Sequence, residues 1–134
     1  MGGYAIDDPE LQFKNIMETL PGVIGSLLKN TSGKGPERQK VYICGQDIIV
    51  NVYGFISKGL SDTNYMDDYE MAHAVRTYYY RMAKKDIGKI HEFFNKSYGL
   101  ELERVFCDFD LVANEGIYVF RCTKLDSNGE KKTI

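Results

Sequence analysis

The residues best placed for chemistry fall in a few short groups. Thr31-Ser32-Gly33-Lys34-Gly35 has the look of a phosphate loop. A working phosphate loop is Gly-x-x-x-x-Gly-Lys-Ser/Thr, set after a strand and before a helix, so that helix N–H groups meet the anion. Here the context is reversed, with a helical segment before the loop and a strand after it. The carbonyl end of a helix repels an anion, so the expected role is a tight helix-to-strand turn. Pro36 disfavours helix at Gly35 and supports the turn.

Glu70-x-x-His73 has the spacing of half a di-iron carboxylate site, but the second Glu-x-x-His and the four inward-facing helices are missing. His73 and His91 lie too far apart along one helix to share a metal, so both read as surface histidines. Asp108 and Asp110 alternate with Phe109 and would share one strand face. Paired carboxylates can move protons or bind a cation. Their plainer reading is a solvated strand end that anchors the next turn. No Ser-His-Asp or Cys-His arrangement can be assembled from positions alone.

Tyr78-Tyr79-Tyr80 lies among basic residues running from Arg76 to Lys89. Such mixtures hold single-stranded nucleic acid by stacking and phosphate contact. Three consecutive helical residues point about 100° apart, so these rings cannot form one platform, and at least one must be core. A protein interface is the better reading. The candidate binding set is therefore Gly33, Lys34, Gly35, Arg38, Arg76, Arg81 and Asp108, with no catalytic residue, metal ligand or cofactor assigned. The leading reading is a non-enzymatic binding or regulatory module. The alternatives are a small-ligand or anion (nucleotide) sensor using Lys34, Arg38, Arg76 and Arg81, and a weak nucleic-acid binder.

The elements that must position these groups run helix, two strands, helix, two strands, polar tail. Pro9 fits a first helical turn with Asp8 as its cap. Pro21-Gly22 interrupts, which gives either two helices, 9–20 and 22–29, or one kinked helix. Residues 38–44 and 47–56 read as a β-hairpin of β-branched and aromatic residues. Asn51, among apolar neighbours on both faces, marks a central strand or one covered by a partner. A single main helix is expected over 65–97, capped near Asn64 and Asp67, with a slip in its apolar stripe near Lys85 and a stop at Tyr98-Gly99. Residues 101–109 and 116–122 form a second hairpin. The expected fold is a two-layer α+β domain of pattern α-ββ-α-ββ, with a four-stranded antiparallel sheet under one long helix. Residues 1–124 form the domain and 125–134 a polar tail.

Both parities of the second strand are apolar: Ile48, Val50 and Val52 on one, Ile49, Tyr53 and Phe55 on the other. One helical layer covers only one face, so the second is expected to be buried in a homodimer.

The chain has 134 residues, 43% apolar content and a formal charge of -2. That length forms a core without disulfides or metal. The near balance of charge supplies no strong nucleic-acid signal. No apolar run is long enough for membrane insertion. A secretory signal and a myristoylation pattern are not seen at the N-terminus, so a cytoplasmic location is expected. Cys44, Cys107 and Cys122 lack paired metal-ligand spacing and read as buried free thiols.

The order of elements, with specific residues, resembles the small bacterial MpsC-like family. The matching features begin with Gly33-Lys34-Gly35-Pro36 after the first helical region and the strand Val41-Tyr42-Ile43. They continue with Asp47-Ile48-Ile49-Val50 and Gly54, Arg76 on a helix, and Gly99, Val105 and Asp108 leading to Val119-Phe120. The resemblance spans about residues 10–122. The family's Leu-Thr-x-x-Glu step after the second strand is replaced here by Ile56-Ser57-Lys58-Gly59-Leu60. The resemblance implies a soluble component of a sodium-linked, membrane-potential-generating or inorganic-carbon system, with a membrane transport complex as possible partner. It implies no active site.

Overall fold

A computed structural model describes residues 9–56, 69–125 and 131–132 of the chain. The proposed caps at Asp8, Asn64 and Asp67 lie outside the described residues.

The first helix, α1 (Pro9–Ser32), runs through Pro21 as one span rather than two helices. An interior proline costs a helix about 3 kcal/mol. Ile16, Leu20, Ile24 and Leu28 recur every fourth residue and are all buried. Each such burial contributes roughly 1.5–3 kcal/mol, so the apolar stripe outweighs the proline. The Pro21 carbonyl accepts a 2.8 Å hydrogen bond from Gln39 Nε2. At the end of α1, Gly33 takes a left-handed φ of 80° and its N–H reaches the Lys29 carbonyl at 2.7 Å. The Gly-x-Gly-Pro segment is thus a helix stop leading into a strand.

The strands are β1 (Arg38–Cys44), β2 (Asp47–Tyr53), β3 (Leu100–Asp110), β4 (Glu115–Leu125) and β5 (Lys131–Lys132). They form one antiparallel sheet in the order β1-β2-β4-β3, so the two hairpins join through β2 and β4. Asn51 therefore lies on a central strand. The short β5 pairs with Lys124 and Leu125, which brings part of the segment read as polar tail into the sheet.

β2 ends at Tyr53, earlier than the expected residue 56. Gly54 turns the chain with φ 69°, and its N–H reaches the Asn114 carbonyl at 2.9 Å. The Asn114 side-chain oxygen accepts from both Phe55 N and Ile56 N at 3.0 Å. This clamp turns Phe55 into the core, where it is fully buried, instead of onto the second sheet face.

The expected helix over 65–97 is two helices, α2 (Tyr69–Lys85) and α3 (Ile87–Tyr98). Asp86 separates them with φ -96°, ψ 15°, beside the slip near Lys85. The two pieces serve different targets. α2 flanks the edge of β3, where Lys84 Nζ donates to the Val105 carbonyl. α3 lies on the sheet, with Phe94 against Phe120 at 5.1 Å between ring centroids. The stop at Gly99 is as expected, with φ 66° and its N–H on the Asn95 carbonyl.

The core is one cluster between the helices and one face of the sheet. Ile48, Val50 and Val52 of β2, Tyr118 and Phe120 of β4, and Val105 and Phe109 of β3 line it. The thiols are all free, as expected, but only Cys122 is buried. Cys44 is exposed because its parity in β1 points to the opposite face.

Candidate binding surface

Strand alternation places every second residue on the face away from the helices. Strand register then sets these residues in rows across the sheet. Tyr42, Ile49, Val119 and Phe106 stand side by side on β1, β2, β4 and β3. This row is apolar, with Tyr42 46% and Phe106 45% exposed. On one side of it lie Cys44, Asp47, Arg121 and Arg104. Within that row Arg121 forks onto Asp47, with Nε to Oδ1 at 3.0 Å and Nη2 to Oδ2 at 3.3 Å. On the other side lie Lys40, Asn51, Ile117 and Asp108, followed by Arg38, Tyr53, Glu115 and Asp110.

The N-terminal half of α2 borders this last region and makes it concave. A cleft of about 620 Å³ opens between Tyr69, His73 and Arg76 of α2 and Asn51, Tyr53 and Ile117 of the sheet, with Asp108, Asp110 and Glu115 also on its walls. The volume falls within the range of ligand sites. The Tyr69 and His73 rings stack at 6.2 Å. Arg76 closes one side by a fork onto Asp108. That hydrogen bond is the main cause that holds the Asp108 carboxyl below its ordinary range. With Arg76 paired to Asp108, the remaining carboxylates on the walls among the described residues are Asp110 and Glu115.

The candidate residues separate into distinct places. Arg76 and Asp108 meet in the cleft. Arg38 stands outside it, with its guanidinium 4.3 Å from the centre of the Tyr53 ring. Lys34 is held by the Gly54 carbonyl at 2.8 Å and Glu37 at 3.2 Å, so the loop of Gly33, Lys34 and Gly35 joins α1 to the end of β2. Arg81 is exposed and lies five residues beyond Arg76, about 140° around α2. The four cations do not converge on one anion site. Of the three tyrosines, Tyr79 is buried and Tyr78 and Tyr80 are about half exposed, so one ring is indeed core. His73 and His91 are both exposed. Among the described residues, no group of acids, histidines and cysteines is arranged to hold a metal.

Tyr53, Tyr69, His73 and Glu115 line the same cleft as Arg76, and none of them was legible from the sequence as sharing a site with it. Only the apolar second parity of β2 hinted at this face. Nothing local reveals that α2 reaches past β3 to border it.

A family model described as the Na+-translocating membrane potential-generating system (MpsC) matches residues 12–124. The chain belongs to the MpsC family. Neither a curated protein nor a solved structure matches it. The matched stretch contains the Gly-x-Gly-Pro turn, the β1-β2-β4-β3 sheet up to Lys124 and, among the described residues, α1 from residue 12 onward, α2 and α3. No helix among the described residues of this MpsC-family chain is long and apolar enough to cross a membrane.

Proposed function

We propose that this MpsC-family chain is a non-catalytic binding and regulatory module. It acts on the cytoplasmic side as an accessory to the ion-translocating system named by its family, and it works as a homodimer. The observation that carries the binding role is the apolar row Tyr42, Ile49, Val119 and Phe106, whose two ends, Tyr42 and Phe106, are nearly half exposed. A sheet face of this kind in water favours burial against a partner. The accessory role rests on family membership, and the lack of a membrane-crossing helix among the described residues fits it.

Two measurements test the proposal. Light scattering at micromolar concentration is expected to give twice the mass of one chain, and Phe106→Glu to give one. Vesicles carrying the membrane subunits of the ion-translocating system are expected to sediment the chain, and vesicles without them are not. Equal recovery from both kinds of vesicle would overturn the accessory role.

A further inference from the structure

We propose that the second copy docks with its two-fold axis parallel to the strands, which seats the basic strand β1 of each copy in the acidic, aromatic cleft of the other. This rests on the homodimer reading above and specifies its geometry.

The argument is one of charge and shape. Strand order puts β1 and β3 at opposite sides of the four-stranded sheet. A two-fold axis lying between the sheets and along the strands sets β1 over the partner's β3 and β2 over the partner's β4, and it keeps each row facing its own row. Tyr42 then meets the partner's Phe106, and Ile49 the partner's Val119. In the next rows Lys40 meets the partner's Asp108 and Arg38 the partner's Asp110. In the remaining row Asp47 meets the partner's Arg121. The apolar row is matched by an apolar row, and each of these three charged side chains faces its opposite.

The cleft adds shape to the charge match. Its walls carry Asp108, Asp110 and Glu115 with the rings of Tyr53, Tyr69 and His73. Aromatic faces and carboxylates together suit a lysine or arginine. Tyr53 already receives the guanidinium of Arg38 within one chain. Aligned sheets cross at about 30°, which shifts the outer rows by several ångström, a distance that a basic side chain spans.

An axis across the strands does worse. It would lay each strand on its own counterpart, with Arg121 over the partner's Ile117 and Lys40 over the partner's Cys44. It would set Arg104 over the partner's Asp108, but Asp110 over the partner's Glu101 and Glu115 over the partner's Thr123, so neither of those two carboxylates of the cleft gains a basic occupant.

Thiol cross-linking separates the two arrangements. Facing sheets lie about 10 Å apart, within reach of a short bis-maleimide. In the proposed arrangement Cys44 faces the partner's Arg104. Arg104→Cys is therefore expected to give a covalent dimer on a denaturing gel, while wild type and Lys40→Cys do not. All three positions are exposed strand residues, and circular dichroism checks that each variant folds. Lys40→Glu is expected to weaken the dimer on the order of tenfold at low salt, because it sets like charges against each other. A dimer by light scattering that cross-links only through Lys40→Cys, or through neither variant, would overturn the arrangement. A monomer by light scattering would overturn the homodimer reading itself.

Discussion

Arg76 donates Nε–H to Asp108 Oδ1 at 2.8 Å and Nη2–H to Oδ2 at 2.6 Å, so one guanidinium fork ties α2 to β3. The two residues lie 32 positions apart in the chain, on elements that meet only in the folded state.

Both partners are more than half exposed, at 52% and 59%, so water and salt screen the pair. Arg76→Lys keeps the charge and loses the fork. Its expected effect on stability is less than about 1 kcal/mol by urea denaturation. The pH dependence has a definite sign. The Asp108 carboxyl is depressed in the fold, chiefly by the Arg76 hydrogen bond. Its contribution is present above the ordinary aspartate value of about 3.9 and is lost as pH falls through the folded value. In Arg76→Ala, the Asp108 titration followed by NMR should move up toward that ordinary value.

Asn114 holds φ 55°, a conformation that favours glycine and asparagine, while its side chain clamps Phe55 N and Ile56 N. Asn114→Ala loses both bonds and retains the strained backbone. The expected cost is about 2–4 kcal/mol in urea denaturation. Asn114→Gly relieves the backbone and loses only the bonds, so it should fall between the alanine variant and wild type.

Gly116 is a packing glycine. A Cβ there would lie 2.8 Å from Phe109 Cδ1 and 2.9 Å from Val52 Cγ2, inside the core. Gly116→Ala should therefore destabilise by roughly 1–3 kcal/mol through overpacking, measured as a fall in the urea midpoint. Gly88→Ala makes the contrast. Nothing lies within 4 Å of its added methyl, so it should stabilise the helix by up to about 1 kcal/mol.

Alkaline pH should unfold the protein for an identifiable reason. Burial pushes the Tyr98 hydroxyl and the Cys122 thiol each up to about 12, and raises Tyr118 as well. A raised folded value means that stability is complete below the ordinary values, about 8.5 for cysteine and 10 for tyrosine, and is lost as pH rises through 12. Tyr98→Phe breaks the 2.8 Å hydrogen bond to Thr19 Oγ1, which costs about 1 kcal/mol at neutral pH. It should also make the alkaline fall in melting temperature less steep than in wild type.

Much of this architecture could be read from local pattern. Apolar residues of both parities around Asn51 marked a central strand, Gly99 marked a helix end by the conformation it permits, and the hairpin residues defined four strands. What escaped depends on distant contacts. Pro21 left two helices and one kinked helix both open, because the buried stripe of Ile16, Leu20, Ile24 and Leu28 that joins the span gains its energy from the rest of the core. Residues 54–56 looked like strand because their partner, Asn114, lies almost 60 positions away. The interruption at Asp86 follows from α2 and α3 having separate targets, which no helical period encodes. Arg76 and Asp108 were both named from the sequence as candidates, but their meeting in one cleft was not legible there, since it depends on α2 passing the edge of β3.

The last turn of α3 is completed by side chains from α1. Gln12 Nε2 donates to the Tyr98 carbonyl at 2.9 Å, and Asn15 Nδ2 to the Ser97 carbonyl at 2.8 Å. Helix-end carbonyls otherwise need water or a cap of their own. Trimming the chain from its front would thus be felt first some 80 residues downstream. Faster amide exchange at Gly99 would report the detachment of a helix that the exchanging residue does not belong to.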